Sequence, residues 1–497
     1  MGAARDHASK SLLWSGIDTF SQTGFSILAL VLLARVLSVE DMGEGALVIM
    51  IVQLVAMPFE LLFHDALIQR QDLQERHLSS AFAATLLGAL CAALVLALAA
   101  PWLAALYNKP ALEVLLPAAV IAIPASGITA VLGAILRRNL AFAPLARRTL
   151  IGRLSGVVLG VVVALMGGGA WALVVMYVAS LVLSTAVLMV VSDGMPKLRC
   201  EFTALRELLS FGAPNMLAQL FLLGNGRLFV TLSGFYLSEA ALGQLSLAFR
   251  VVEELRNTLS SAAAQLALPL LTRRAQLPAQ FAMVFGEATC FTAGVLLPLY
   301  AGVAVTADDL MAVVFGVKWQ AAAPIVQVFA LAAMLLTLRQ YSSIAINALG
   351  RPGVNAVINS VAFAFSLILL VDGLGESVEM TAQIWIWRAV LLLVGSFIGM
   401  RMVAAFSVRA QLQPVAAPLL AALVMAVSLI LLRHTPLMAG SLADLNEVRL
   451  LLSIGIGVVV YFLALLAVSP QLLRRAFEFA RAALMRNHGQ LTPQNTQ

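Results

Sequence analysis

The chain has 497 residues, 61% of them hydrophobic and only 11% charged, with a mean hydropathy of +0.97 and a formal net charge of +6. A soluble domain is about half apolar and about a quarter charged, so a water-soluble globular enzyme is excluded on composition. The basic excess lies in short stretches between apolar runs and bears on membrane topology before nucleic acid, and Cys91, Cys200 and Cys290 show neither disulfide nor metal spacing.

A bilayer-crossing helix needs about twenty mostly apolar residues. Fourteen such runs are predicted in chain order. The first, near 11–33, follows a short tail with Arg5 and Lys10 and reads as a retained signal-anchor helix carrying Asp18. The second, near 43–63, holds Glu60 toward its inner end, with Asp65 just beyond. The third and fourth lie near 81–103 and 112–134 and lead into Arg137-Arg138. The fifth, near 150–168, carries Gly152, Gly156 and Gly160 at the four-residue spacing of closely packed helices. Gly167-Gly168-Gly169 divides it from the sixth, near 170–191.

The seventh run, near 211–233, contains Arg227. The eighth, near 240–268, contains Arg250, Glu253, Glu254 and Arg256. The ninth and tenth lie near 290–307 and 323–346, the latter with Arg339. The eleventh lies near 355–371. The twelfth, near 383–400, holds Arg388 and a second glycine pair, Gly395 and Gly399. Runs near 415–432 and 449–468 complete the set, and the tail after Ser469 is basic, expected on the inner leaflet.

With the N-terminus inside, Lys and Arg outside the runs divide about four to one in favour of the inner segments. An even number of spans with both termini cytoplasmic follows. Trp102, Trp171, Trp319, Trp385 and Trp387 then fall at the outer interface and Trp14 at the inner one, where indole is favoured. The loops are too short for a soluble catalytic domain. No Walker motif, HExxH, GxSxG or Gly-rich nucleotide fingerprint is present. No enzyme activity, catalytic residue, cofactor or metal is therefore expected, and transport is.

An internal repeat is visible. Leu37-Ser38 and Gly43 follow the first run, and Leu237-Ser238 and Gly243 follow the seventh. A second echo pairs Ile135-Leu136-Arg137-Arg138 with Leu349-Gly350-Arg351. The expected architecture is an all-α polytopic membrane protein of about fourteen helices. Two six-helix lobes, residues 1–210 and 211–410, are related by a pseudo-twofold axis along the membrane normal. Two further spans (411–470) and a basic cytoplasmic tail (471–497) follow.

Ionisable side chains inside spans are costly and mark function by default. Arg227, Arg250, Arg256, Arg339 and Arg388 all belong to the second lobe, and a cavity they line would favour phosphate or carboxylate oxygens. The bland readings differ. Glu253 and Glu254 can neutralise Arg250 and Arg256 along one helix, and this stands level with substrate contact. Arg388 can reach the outer interface beside Trp385 and Trp387, which is favoured over a site role. Arg227 and Arg339 have no partner within a turn, and function is favoured. Asp18 and Glu60 are gating or coupling candidates: one of them pairs with Arg339 to close the cytoplasmic side, or Asp18 carries a proton. The plain alternative is a carboxylate bonded to backbone or to Gln22.

The stretch Leu33-Ala34-Arg35-Val36-Leu37-Ser38-Val39-Glu40-Asp41-Met42-Gly43 resembles the first-loop signature of bacterial polysaccharide exporters. So do Ala66-Leu67-Ile68-Gln69-Arg70 with His77-Leu78 and Ala81-Phe82, and Leu136-Arg137-Arg138-Asn139-Leu140-Ala141-Phe142. Leu208-Leu209-Ser210-Phe211-Gly212, Leu268-Pro269, Phe315-Gly316-Val317-Lys318-Trp319 and Ala348-Leu349-Gly350-Arg351 extend the match over about residues 10–470. The order of these motifs is similar to that of the polysaccharide transporter, or Wzx-type flippase, branch of the multidrug/oligosaccharidyl-lipid/polysaccharide exporter superfamily.

The resemblance implies two six-helix lobes in a V plus two helices that could offer a groove for a lipid tail. It implies flipping of undecaprenyl-diphosphate-linked oligosaccharide from the cytoplasmic to the periplasmic leaflet of the bacterial inner membrane by alternating access. That would serve exopolysaccharide, O-antigen or capsule synthesis, with a polysaccharide polymerase and co-polymerase as partners. Many relatives carry an Asp near Gly226-Arg227 and a Tyr soon after the glycine matching Gly243; here Gln244-Leu245-Ser246 follows instead. The arginine set therefore rests on its place in apolar runs and not on transfer. A cation-coupled multidrug exporter is the first alternative, though it calls for carboxylates in excess. A membrane polysaccharide polymerase or ligase is the second, though it calls for a large outer loop. A scaffold without transport would not explain deep arginines.

Overall fold

The computed structural model describes residues 22–192, 194–371, 377–435 and 446–470. Regular structure among them is helical, without strands. In chain order the helices are α1 (Gln22–Val36), α2 (Val39–Leu61), α3 (His64–Gln69), α4 (Glu75–Tyr107), α5 (Ala111–Ala119) and α6 (Ala122–Arg138). Then come α7 (Phe142–Leu165), α8 (Trp171–Val191), α9 (Phe202–Ser233), α10 (Glu239–Thr272), α11 (Pro278–Val305) and α12 (Ala307–Leu310). A π turn (Met311–Phe315) and a 3-10 turn (Val317–Ala322) lead to α13 (Ala323–Ala348), α14 (Pro352–Val371), α15 (Val378–Ala404), α16 (Val408–Arg433) and α17 (Asn446–Val468).

Eleven of the described spans are long and apolar enough to cross a bilayer, against the fourteen runs expected. The other three runs fall on α1, α9 and α10. Helix α1 is described from Gln22 onward, which leaves it short of a full span. Helices α9 and α10 are 32 and 34 residues long; some side chains of both lie outside the described residues, and Arg250, Glu253, Glu254 and Arg256 dilute the apolar character of α10. The outer surface confirms the solvent. Leu94, Val95 and Leu98 on α4 and Leu451, Val459 and Leu463 on α17 are all exposed, an apolar display that hydrocarbon accepts and water does not.

One break is set by a proline. Pro124 has no N–H to give the Val120 carbonyl, and the chain bends there between α5 and α6. Starts follow capping: Ser38 accepts from Asp41 N–H at 3.0 Å, and Asp41 bonds back to Ser38. The other oxygen of Asp41 accepts from Ala170 N–H at 3.1 Å, at the head of α8. In the repeat, Ser238 accepts from Ala241 N–H at 3.3 Å.

Packing divides the chain into two compact units. One contains the chain up to Thr258 with Val314–Ile325 and Asn359–Ile384; the other contains Leu259–Val313, Val326–Ile358 and the chain from Trp385. In the first, α2 is central and packs against α5, α6, α8 and α9. Helices α7 and α8 run together because Gly152 faces Ser184, Gly156 faces Ser180 and Gly160 faces Met176, each without room for a Cβ. In the second unit α16 packs on α11 and α17, and Tyr461 donates to the Gly294 carbonyl at 2.7 Å. There Gly395 and Gly399 lie against Ile358 and Val354.

The two repeat glycines meet inside the first unit. A side chain at Gly43 would strike the Glu239 carbonyl and the Gly243 nitrogen, and one at Gly243 would strike the Val39 carbonyl. Residue 43 thus meets 239 and residue 243 meets 39, the reciprocal exchange that a local twofold axis produces.

Candidate functional site

The first unit gathers polar side chains where its apolar helices converge. Gln53 and Glu60, two turns apart on α2, share a face. Ser126 of α6 lies beside the Glu60 carboxylate, and the Arg227 guanidinium of α9 lies within its field. Tyr177 of α8 faces Glu60 and Arg227 and lies beside the Gln53 side chain. Glu60, Tyr177 and Arg227 are all half-buried. Among the described residues, Glu60 and Arg227 form no direct ion pair with each other or with any third group. Glycines flank the arginine: Gly226 receives the Phe249 ring and Gly224 lies near the Met57 sulfur, so α9 sits close to its neighbours here. A guanidinium offers five donors, and at Arg227 no ion pair claims them.

A second cluster in the same unit is internally paired. Arg256 donates to Glu253 from Nε at 2.8 Å and from Nη2 at 2.7 Å. Half-buried Arg250 lies in the field of Glu254, one turn on. Arg153 of α7 lies in the field of Glu254 too, and donates to the Ser26 hydroxyl at 2.7 Å and the Gln22 carbonyl at 3.3 Å. Thr23 and Thr258 complete the join of α1 to α10 at 3.0 Å. Arg153 stands three residues past the start of the fifth apolar run, an intraspan cation outside the arginine set taken from the sequence.

In the second unit Arg339 reaches Ser343 at 3.5 Å. Gln340 donates to the Ser260 carbonyl at 3.0 Å, and Asn355 donates to Asn347 and to the Ser343 carbonyl, each at 2.7 Å. Arg388 departs from its expected outward reach. It is buried, with its guanidinium carbon 4.4 Å from the centroid of the Trp385 ring, where a cation on an aromatic face gains more than one in water. Asp18 lies outside the described residues. Within the first unit, the arginine whose field reaches Glu60 is Arg227.

Several motif residues prove to be joints. Arg138 donates to the Leu67, Ile68, Arg70 and Gln71 carbonyls, capping the end of α3. Glu207 accepts from Arg70 and from buried His77, the latter at 3.1 Å. His77 and Arg70 hold the Glu207 carboxyl below the usual carboxylate range. Lys318 donates to the Arg35 and Leu37 carbonyls, and Trp319 to that of Ala34 at 2.7 Å, closing the open end of α1. Sequence reading did not anticipate these joints, nor the Asp309 carboxylate held by Arg433 and Arg449 in the second unit.

This fold is shared by a class of multi-pass transporters. The lipid II flippase MurJ in its inward closed conformation superposes with a TM-score of 0.76 over 93% of this chain and 100% of its own, at 14% identity. An inward-facing multidrug resistance MATE family transporter of the MOP superfamily superposes at 0.60, over 80% of this chain and 98% of its own, also at 14% identity. The profile of the family described as "Polysaccharide biosynthesis protein" matches residues 32–324, more than half the chain, and the protein belongs to that family. It is 28% identical to the succinoglycan biosynthesis transport protein ExoT of Rhizobium meliloti over 481 residues, 94% of each chain. It is 24% identical over 479 residues to the teichuronic acid biosynthesis protein TuaB of Bacillus subtilis, covering 92% of this chain and 95% of that one.

Proposed function

We propose that this multi-pass membrane protein flips a lipid-linked oligosaccharide, carried on a polyprenyl diphosphate, from the cytoplasmic to the periplasmic leaflet by alternating access. The observation that carries the reading is Arg227: a half-buried guanidinium in an apolar helix, with a carboxylate near it and no direct ion pair among the described residues. A diphosphate offers the acceptor oxygens that such a fork is built to meet. Membership in a polysaccharide biosynthesis family and likeness to a succinoglycan transport protein support the lipid-linked glycan as substrate class.

Arg250, Arg339 and Arg388 are second-rank contacts in this reading, and Arg256 is occupied by Glu253. Two six-helix lobes remain the proposed architecture, supported by the reciprocal meeting of Gly43 and Gly243. Both termini are placed in the cytoplasm of a bacterial inner membrane on the charge bias. The chain acts as a transporter without catalysis, and a polymerase and co-polymerase receive its product. A cation-coupled drug exporter fits less well, because it calls for carboxylates in excess, and Arg227, Arg250, Arg256, Arg339 and Arg388 count against that.

The test is reconstitution of the full chain in vesicles with a fluorescent polyprenyl-diphosphate oligosaccharide. Inner-leaflet probe should be lost with the native protein. Export of a cationic dye without transfer of any such lipid would replace the proposal with the drug-exporter reading.

A further inference from the structure

The Glu60–Arg227 cluster has a property that binding alone does not require: it holds one group able to change its charge. A guanidinium is a donor that carries its charge throughout the physiological range. Ser126, Tyr177 and Gln53 are neutral there. Among the described residues of the cluster, Glu60 is the remaining titratable side chain, and the arginine acting on it forms no ion pair with it. The groups that face it are Arg227 from α9, Tyr177 from α8 and Ser126 from α6, with Gln53 sharing its own helix.

We propose that an anionic lipid head bound at Arg227 draws one proton from the medium onto the Glu60 carboxylate, so that anion and proton bind together. This rests on the reading of Arg227 as the head-group site. With Glu60 ionised, the empty cluster is neutral, one carboxylate against one guanidinium. A diphosphate diester brings two negative charges into a place where water is scarce. It competes for Arg227 and leaves Glu60 beside like charge, where an ionised carboxylate is disfavoured. A proton on Glu60 halves the net charge of the loaded cluster from two to one. The diester has no ionisation of its own near neutral pH, so Glu60 is the group in the site that can respond. The proton serves charge compensation, and the remaining negative charge lets membrane potential act on the loaded site.

Linkage makes this measurable, because a ligand that promotes protonation is itself bound more tightly where protons are plentiful. The full chain in nanodiscs would be titrated calorimetrically with farnesyl-diphosphate-linked N-acetylglucosamine, in two buffers of different ionisation enthalpy at pH 7.5 and across pH 6.5–8.5. The native protein should take up close to one proton per ligand, with affinity rising up to about tenfold per unit fall in pH where Glu60 titrates. Glu60→Gln should bind the probe with no uptake and a flat profile. Glu60→Asp should restore uptake, which shows that the Gln variant lost a proton site and not its fold. Arg227→Ala should bind at least about tenfold more weakly. Native binding without proton uptake, lost in Arg227→Ala, removes the coupling and leaves the head-group site standing. Equal uptake by native and Glu60→Gln protein overturns the assignment to Glu60. Binding undiminished in Arg227→Ala, or no binding by native protein, overturns the head-group site and the coupling with it.

Discussion

Asp309 has no exposed surface and holds two arginines, Arg433 at 2.6 Å and Arg449 through Nε at 2.9 Å. Glu60 is half-buried, and the arginine in its field makes no ion pair with it. Each is a carboxylate in an apolar protein with arginine for company, yet the two are built for different ends. The Asp309 cluster is saturated, and a newcomer would have to break it. The Glu60 cluster keeps donors uncommitted and partly open, so a newcomer can complete it. A closed ion pair ties helix ends together. An unclosed one is held apart by the surrounding fold, which is how a site stays available.

The contrast is sharpest under truncation. Asp309→Ala removes the fully buried carboxylate between two guanidinium groups and leaves Arg433 only the more exposed Asp308 at 3.4 Å, and removing one partner of a buried pair costs about 3–5 kcal/mol. Thermal unfolding of the purified protein should move down by several degrees. An unchanged midpoint would show the cluster to be solvated after all. Arg227→Ala should act the other way round. Lipid transfer should fall about tenfold to a hundredfold, the worth of a charge-assisted hydrogen bond of about 1.5–3 kcal/mol, while the unfolding midpoint stays near native. If the midpoint collapses with transfer, Arg227 is a joint like Asp309, and the two regions are alike.

The sequence carried the helical class and the residues of both clusters, but it distinguished them only where partners were local. Arg256 sits three residues after Glu253, so its pairing was legible. Asp309 finds Arg433 and Arg449 across more than a hundred residues, and helical periodicity carries no information at that range. Arg153 was hidden by a run boundary, and Arg388 by an interface argument that overlooked the Trp385 ring face. The glycine ladder was read as packing because a four-residue period fixes one face of one helix. The repeat Leu37-Ser38…Gly43 was visible as an echo. Its physical content, two glycines that let two helix starts cross, needed coordinates.

That ladder gives a smaller effect. A valine at Gly156 would collide with Ser180 and the Met176 carbonyl, so Gly156→Val should lower stability by about 1–3 kcal/mol, the range of overpacked cores. Gly455 on α17 has open space around it, and Gly455→Ala should be near neutral. Equal losses at both positions would show that the loss at Gly156 does not come from the α7–α8 contact.

The smallest expected effect lies at an exposed joint and depends on pH. Gln74 N–H donates to His77 Nδ1 at 3.1 Å, which leaves Nε2–H to donate to Glu207. Arg70 donates to the same carboxylate oxygen, and Arg76 approaches the other at 4.0 Å. These donors hold the folded carboxyl below its unfolded value, His77 first and Arg70 second. A depressed carboxyl stabilises the fold above the ordinary carboxylate range and ceases to do so as pH falls through its folded value. Native protein should therefore unfold at a higher temperature than Glu207→Gln at pH 7, with the gap closing as pH falls below about 4. Because the carboxylate is exposed, salt should narrow the gap at pH 7 as well, whereas the sealed Asp309 cluster should respond little to salt. A gap that stays constant with pH would mean that the His77 contact serves through its hydrogen bond alone, and that the charge on Glu207 adds nothing to the joint.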